Sequence, residues 1–267
     1  MERTEEFVFG DMNIYSKIDS DRFGIKVGKV PEDFFQENGV EYFIDNGFEL
    51  IITRIDITNL ELINSLELSG FVLGDTQTVF QQPLNKEKLN NFEVRNKDYV
   101  YRGYHPTDLD TLMEITETSF DGYYGHYFND KRLNQKDCLD AYVDWVHNSC
   151  VDEKLTDAII VAEKNGEIGG YISVKIYYCD GKKYGDGVLG AVSPNHRGLG
   201  LFSDIGLKVL KWCAENDCEW VENNVVINNY PVVRTYIGLG YKPYKAMVTL
   251  HGWVDEIKKR IICQKNQ

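Results

Sequence analysis

The sequence lacks the patterns that mark several common classes of protein. Its six cysteines form no Cys-x-x-Cys pair, which favours reduced core thiols over a disulfide framework or a thiolate metal site. Its five histidines form no His-Glu-x-x-His pattern, so no metal site is predicted. No apolar run approaches the ~20 residues that span a bilayer, and the first residues, MERTEEFVFGDM, do not resemble a secretory signal. We therefore expect a cytoplasmic protein.

Basic residues are outnumbered as well. The 29 Lys and Arg residues against 42 Asp and Glu residues give a net charge of −13. Nucleic acids and anionic membranes bind basic surfaces, so neither is expected as a partner, although a local basic pocket for a small anion is compatible with this charge. Hydrophobic residues make up 43% of the 267 residues, which predicts a globular chain of one large or two small domains.

The hydrophobic pattern predicts a chain of mixed strands and helices. Apolar periodicity is lost over residues 81–98, which predicts a linker and divides the chain into residues 1–94 and 95–267. The predicted order after the linker is β-α-α-β-β-β-α-β-α-β. The predicted elements are a strand at 99–104, a helix after Thr107 or Asp108, a helix at 136–150, a hairpin at 157–178 turning at Asn165-Gly166, a strand at 187–193, a helix after Gly200, a strand at 219–227, a helix at 228–240 and a strand at 241–253.

An internal repeat is visible when residues 31–80 are shifted by 170 onto residues 201–250. Five identical pairs and a shared apolar pattern then coincide; the identities are Asn46/Asn216, Glu49/Glu219, Ile57/Ile227, Asn59/Asn229 and Gly70/Gly240. Each copy is predicted to run helix, strand, short helix, glycine, strand. The first copy has no glycine loop before its helix, and it has Leu66 where the second copy has Tyr236.

The stretch SPNHRGLGLF at residues 193–202 places two glycines directly before a predicted helix. Such a turn presents several backbone N–H groups to one point, and the helix N-terminus adds partial positive charge there, which favours a pyrophosphate ligand. The dinucleotide motif Gly-x-Gly-x-x-Gly is excluded because Ser203 occupies the third glycine position. Two glycines alone are also compatible with a plain tight turn.

The context of this loop resembles the acyl-CoA signature of the GCN5-related N-acetyltransferase (GNAT) superfamily. Arg197 and Gly200 match its Arg/Gln-x-x-Gly-x-Gly/Ala pattern, whereas Phe202 departs from it at the third small position. The later stretch NNYPVVRTYIGLGY resembles a second family motif. The predicted element order is also that of the family, and the resemblance covers roughly residues 99–253. The resemblance implies an α/β (α+β) fold with a mixed, mostly antiparallel central sheet flanked by helices, preceded by a smaller degenerate half-domain at residues 1–94.

The resemblance also implies an activity, which is the transfer of an acetyl group from acetyl-CoA to the amine of a small molecule. SDRFGIKVGKV at 20–30 and SFDGYYGHYFND at 119–130 look like the TDP-fucosamine acetyltransferase type, which implies an amino-sugar nucleotide as acceptor. An amino acid, a polyamine or an aminoglycoside as acceptor stays open, as does a CoA-binding module without turnover. The acyl chain length and the choice between monomer and homodimer are also open.

The resemblance assigns site residues, and most have a structural alternative. Tyr236 is implied as the proton donor to the leaving thiolate, with core packing as its alternative. Glu222 is a candidate base or a solvated strand residue, Asn229 a CoA ligand or a helix cap, and His126 and Asp130 acceptor contacts or part of an aromatic lid. His196 is expected to be exposed. The implied acetyl-CoA contacts are Leu189, Ala191, Val192, Arg197, Gly198, Leu199, Gly200, Leu201, Phe202 and Asn229.

Overall fold

The computed structural model describes residues 7–265. The expectation about a secretory signal falls partly on residues 1–6, which lie outside the described residues. The described part contains both strands and helices. The strands are β1 (Val8–Phe9), β2 (Met12–Asn13), β3 (Val27–Pro31), β4 (Leu50–Asp56), β5 (Val72–Pro83), β6 (Val100–Gly103), β7 (Ala158–Lys164), β8 (Glu167–Cys179), β9 (Lys182–Val192), β10 (Trp220–Val226) and β11 (Lys242–Trp253). The helices are α1 (Lys17–Phe23), α2 (Phe34–Glu37), α3 (Glu41–Asp45), α4 (Leu60–Ser69), α5 (Lys86–Asn90), α6 (Leu109–Phe120), α7 (His126–Asn129), α8 (Gln135–Val151), α9 (Leu201–Glu215), α10 (Tyr230–Gly238) and α11 (Val254–Lys265).

The chain forms two compact units. Among the described residues, the first comprises residues 7–77, 124–137 and 246–265, and the second comprises residues 78–123 and 138–245. The units therefore divide the chain differently from the predicted boundary at 94/95, because two later segments belong with the N-terminal residues. The predicted linker at 81–98 is wrong in part, since β5 extends to Pro83, α5 follows, and Leu89 is buried in a core.

The first unit has a sheet in which β4 lies between β3 and the later residues of β11. β3 and β4 run parallel and pair over five residues, from Val27 with Leu50 to Pro31 with Arg54. β4 pairs antiparallel with β11 over residues 247–253. One face of this sheet carries a core rich in aromatic and β-branched side chains, which include Phe34, Phe43, Phe48, Ile51, Ile55, Val248 and Leu250.

The second unit contains a sheet with the order β6-β7-β8-β9-β10, and residues of β5 follow β10. β6, β7, β8 and β9 are antiparallel neighbours, whereas β9 and β10 are parallel. The predicted hairpin is present: β7 and β8 turn at Asn165 and Gly166, which both have positive φ of 53° and 83°. The sheet and α9 enclose a core that includes Val174, Leu201, Ile205, Leu210, Cys213 and Val221. The predicted mixed, mostly antiparallel sheet with flanking helices is thus confirmed.

Both copies of the internal repeat have the same local architecture. At a shift of 170 residues, β4 corresponds to β10, α4 to α10 and β5 to β11. Asn59 and Asn229 cap α4 and α10 identically, since each Oδ1 accepts from a backbone N–H three residues on at 3.4 Å. Gly70 and Gly240, the glycines that follow the two helices, have φ of 108° and 90°. The copies differ at the first helix, because Gly39 and its neighbours interrupt the first copy, giving α2 and α3 in place of one long helix.

No helix among residues 7–265 is long and apolar enough to cross a membrane.

Candidate active site

The parallel strands β9 and β10 pair only briefly. Their register runs from Tyr184 with Trp220 to Asp186 with Glu222 and ends there. Within the described chain, residues 187–192 of β9 and 223–226 of β10 have no register pairs with each other, and we call the space between them the β9–β10 gap. β8 pairs with β9 on its other side through to Val192, so one edge of β9 faces the gap without a partner strand. Backbone N–H groups along such an edge can donate hydrogen bonds to a ligand, and backbone carbonyl groups can accept them from it.

The glycine loop ends at the start of α9. Gly198 and Gly200 both have φ of 77°, a conformation that L side chains rarely adopt, which explains the two glycines. Gly200 is the N-cap of the 15-residue helix α9, and no side chain caps the first-turn N–H groups. These donors and the positive end of the helix dipole favour an anion at this point.

Side chains on neighbouring elements hold the loop in place. Arg197 donates from Nε to the Val192 carbonyl and from Nη2 to the Ser119 hydroxyl, both at 3.0 Å. His196 was expected to be exposed, and that is wrong: it is buried, with Nδ1 2.6 Å from the Tyr99 hydroxyl and Nε2 3.0 Å from Glu167 Oε1. These bonds anchor the first half of the loop.

Two residues that precede β6 also contact the loop region. Asn96 donates from Nδ2 to the Leu199 carbonyl at 2.9 Å. A Cβ on Gly200 would lie 3.6 Å from Arg95 Nη1, which places an exposed guanidinium beside the start of α9. Arg95 could not be predicted from the sequence, because it lies in the segment interpreted as a linker. No local sequence pattern indicates that a cation before a strand will lie next to the loop in the folded chain.

Tyr236 lies in α10 and its side chain is buried. Its hydroxyl donates to Asn223 Oδ1 at 3.3 Å, and its ring packs 5.1 Å from the Tyr241 ring and 6.3 Å from the Phe202 ring. Burial raises the pKa of Tyr236 well above its usual value, so the hydroxyl keeps its proton. The Asn223 side chain also hydrogen-bonds the Tyr241 side chain, so its amide lies between two buried tyrosines.

Asp186 and Glu222 are register neighbours at the closed end of the β9–β10 gap. Glu222 Oε1 accepts from the Trp220 indole at 2.9 Å and from Gln81 Nε2 at 3.1 Å. Asp186 Oδ1 is buried without a partner. Burial, with a smaller contribution from the Glu222 charge, raises the pKa of Asp186 to about 6. Glu222 is a candidate from the sequence, whereas Asp186 is not, because the predicted strand begins one residue later, at 187.

The other predicted contacts divide between the two units. Leu189, Ala191 and Val192 lie on β9, and Asn229 caps α10 while its Nδ2 approaches the Tyr123 hydroxyl at 3.5 Å. The structure therefore brings the loop, the β9 residues, Tyr236 and Glu222 into one unit, together with Arg95, Asp186 and Asn223. The helix-cap interpretation of Asn229 is confirmed.

His126 and Asp130 lie in the first unit and form a chain of hydrogen bonds there. Asp130 Oδ2 lies 2.7 Å from His251 Nδ1, and His251 Nε2 lies 2.8 Å from His126 Nδ1. The Trp253 indole also donates to Asp130 Oδ2, at 2.8 Å. Burial lowers the pKa of His126 well below its usual value, so this ring is neutral near pH 7. Their predicted contact with an acceptor stays a prediction.

Comparison with known proteins agrees with this geometry. Residues 109–241 match the family described as Acetyltransferase (GNAT) family. A GCN5-related N-acetyltransferase from Sphaerobacter thermophilus has a similar fold, with 15% identity, a TM-score of 0.52 and coverage of 77% of this chain; the chain spans only 60% of that protein. No curated protein gives a significant match.

Two further solved structures share the fold. A GCN5-related N-acetyltransferase from Kribbella flavida is 11% identical at a TM-score of 0.56, covering 85% of this chain and 81% of the other. A tandem GNAT protein from the clavulanic acid biosynthesis pathway is 14% identical at a TM-score of 0.55, covering 80% and 67%. The tandem protein is compatible with an additional GNAT-like half ahead of the matched residues.

Proposed function

We propose that this chain, whose residues 109–241 match the GNAT acetyltransferase family, transfers the acetyl group of acetyl-CoA to the amine of a small molecule. One observation carries the proposal: Asp186 Oδ1, a buried polar atom without a hydrogen-bond partner, lies on β9 at the point where β9 and β10 part. Buried polar groups in folded proteins are nearly always hydrogen-bonded, and a catalytic role is one reason for an exception. An amine beside Asp186 would pair with this oxygen.

The loop and the unpaired edge of β9 would hold acetyl-CoA, which supplies an activated thioester when bound. The N–H groups at the start of α9 would bind its pyrophosphate, with Arg95 as a nearby cation. Leu189, Ala191 and Val192 lie along the edge that would contact the extended pantetheine chain. An N–H group on this edge could also donate to the thioester carbonyl oxygen as negative charge develops on it.

Asp186 is the better candidate for the base that accepts the amine proton. An amine is protonated at neutral pH and must lose this proton before it can attack a carbonyl. A base is most effective when its pKa lies near the working pH, and the pKa of Asp186 is raised to about 6. Glu222, held by Trp220 and Gln81, would stabilise the charge that Asp186 receives and orient the amine.

Tyr236 would protonate the departing thiolate of CoA. Its hydroxyl remains protonated in its buried position, and Asn223 fixes its direction. Burial raises the pKa of both groups, so the transfer would depend on the hydroxyl lying next to the sulfur as the C–S bond breaks. The side chain would therefore act as a general acid late in the reaction.

The acceptor and the role of the N-terminal residues belong to the same proposal. The TDP-fucosamine resemblance implies an amino-sugar nucleotide, and amino acids, polyamines and aminoglycosides are the alternatives. Contact of His126 and Asp130 with the acceptor stays a prediction of that resemblance. We interpret the first repeat copy as a degenerate GNAT half, because β3 and β4 stay paired over five residues and Leu66 replaces the tyrosine. A sheet without a gap offers no edge to a pantetheine chain.

Release of free thiol from acetyl-CoA in the presence of amines tests the proposal. The purified chain should release thiol with at least one amine from the four classes, and mass spectrometry should show an added acetyl group on that amine. Asp186→Asn should lower the rate at least 100-fold, whereas Asp110→Asn, a matched change at an exposed site on α6, should not change it. CoA binding without turnover of any amine would contradict an enzyme and support a binding module.

A further inference from the structure

Three neighbouring strands place a row of charged side chains across the second unit. Asp186 on β9 pairs in register with Lys175 on β8 and with Glu222 on β10. The three side chains therefore lie on the same face of the sheet. Lys175 does not neutralise the pair, because its ammonium group lies 3.2 Å from Asp157 Oδ2. The charges at the closed end of the β9–β10 gap are therefore two carboxylates, and the nearest lysine in the row is already paired.

A second row of aromatic side chains lies two residues away on the same face. Tyr177, Tyr184 and Trp220 are also register partners on β8, β9 and β10. The Tyr177 and Tyr184 rings are stacked with centroids 5.6 Å apart, and the Tyr184 and Trp220 rings with centroids 5.2 Å apart. Tyr177 is 43% exposed, so the outer end of this row is open to solvent. The rings form an apolar wall next to the carboxylates.

We propose that the acceptor is a cationic amine without an adjacent carboxylate or phosphate, whose ammonium group lies between Asp186 and Glu222 and whose carbon skeleton lies along Tyr177, Tyr184 and Trp220. This inference rests on the proposed function and narrows its substrate class. Among the alternatives it favours diamines, polyamines and aminoglycosides over amino acids and amino-sugar nucleotides.

Electrostatics gives the physical reason. Two carboxylates that are partly removed from water repel each other, and an ammonium ion between them relieves the repulsion and replaces lost solvation. A phosphate or carboxylate on the acceptor would instead meet two like charges at low effective dielectric. The net charge of −13 acts in the same direction at long range, since it attracts cations and repels anions.

The same arrangement makes acceptor binding depend on pH. The titratable groups that interact electrostatically with Asp186 are Glu222 on β10, Tyr177 on β8, Tyr184 on β9, Tyr236 on α10 and Tyr241 before β11. Lys175 and Asp157 interact with Tyr177. The tyrosines stay neutral near pH 7, so the carboxylates determine the local charge. Protonation of Asp186 on acidification removes one of the two negative charges, and the KM for a cationic acceptor should rise.

Matched amines that differ only in a carboxylate test the inference. Cadaverine and lysine form one pair, and agmatine and arginine form another. With saturating acetyl-CoA, we expect kcat/KM for the decarboxylated member to exceed that for its amino acid at least tenfold. Glu222→Gln should reduce this ratio several-fold by raising the KM for cadaverine or agmatine. Asp110→Asn should leave it unchanged.

The outcomes separate this inference from the proposed function. Calorimetry with CoA, done first, tests the cofactor site alone, and failure to bind CoA would overturn the proposed function. Binding of CoA with faster turnover of lysine, arginine or an amino-sugar nucleotide than of the decarboxylated amines would overturn the inference and leave the acetyltransferase intact. Binding of CoA without turnover of cadaverine, agmatine, spermidine or an aminoglycoside would overturn the inference as well.

Discussion

Asp186 is a carboxyl group in an environment that disfavours its charge. Burial and the neighbouring Glu222 raise its pKa to about 6, so the folded protein binds a proton at this site more readily than the unfolded chain does. The ionised form therefore destabilises the fold above about pH 6, and this cost disappears below about pH 4, where both states are protonated. A group kept at such a cost is expected to serve function.

Replacing Asp186 by Asn should separate stability from activity. At pH 7 we expect the free energy of unfolding to rise by about 1–3 kcal/mol, because the cost of the buried charge is removed. Denaturant titrations at pH 7 and pH 4 measure this gain, which should shrink at pH 4. We expect kcat/KM of the wild-type enzyme to fall below about pH 6, and the same variant should lose this fall. A less stable variant with an unchanged pH profile would contradict the assigned role.

Replacing Tyr236 by Phe removes one hydroxyl and keeps the ring packing against Phe80, Phe202 and Tyr241. We expect kcat to fall by about 10²–10³, which is roughly 3–4 kcal/mol of transition-state stabilisation. CoA affinity should change little, because the proton is needed only when the thiolate departs. Steady-state kinetics with an identified acceptor measure the effect. A kcat within a few-fold of wild type would mean that Tyr236 is a packing residue.

The loop before α9 acts as one element, and its chemistry depends on its backbone. Gly200→Glu would introduce a side chain at a φ of 77° and a negative charge beside the helix N-terminus. We expect CoA affinity to fall at least tenfold, measured by calorimetry. Gly198→Ala is the control. Gly198 has the same φ, and an added Cβ there would meet no other atom within 4 Å, so this variant tests the effect of backbone strain without an added charge. Equal affinity of the Gly200→Glu variant and wild type would exclude the loop as the phosphate site.

Elements with strong local signals could be predicted from the sequence, and contacts between distant elements could not. The β7–β8 turn, the start of α9 and the caps at Asn59 and Asn229 follow from residues within a few positions of each other. The partnership of Asp186 with Glu222 depends on the parallel pairing of strands 36 residues apart, which no local pattern encodes. The same applies to Arg95, whose position beside Gly200 follows from the path of the chain.

At the scale of the whole molecule, the two repeat copies should differ in ligand binding. The second copy has the gap, the glycine loop and Tyr236, whereas β3 and β4 of the first copy remain paired throughout their register and Leu66 lacks a hydroxyl. We therefore expect one CoA per chain, measured as the stoichiometry of a calorimetric titration. Two sites per chain would contradict the interpretation of the first copy as degenerate.

The anchored glycine loop has a consequence for how the enzyme responds to its surroundings. Arg197, His196 and Asn96 hold the loop through bonds within the chain, so its shape does not depend on the acetyl group. The parts of CoA that the loop would bind are the same in substrate and product, and both should bind with comparable strength. Free CoA would then compete with acetyl-CoA for the enzyme. The rate in a cell would follow the ratio of acetyl-CoA to free CoA, and acetylation would slow when acetyl groups become scarce.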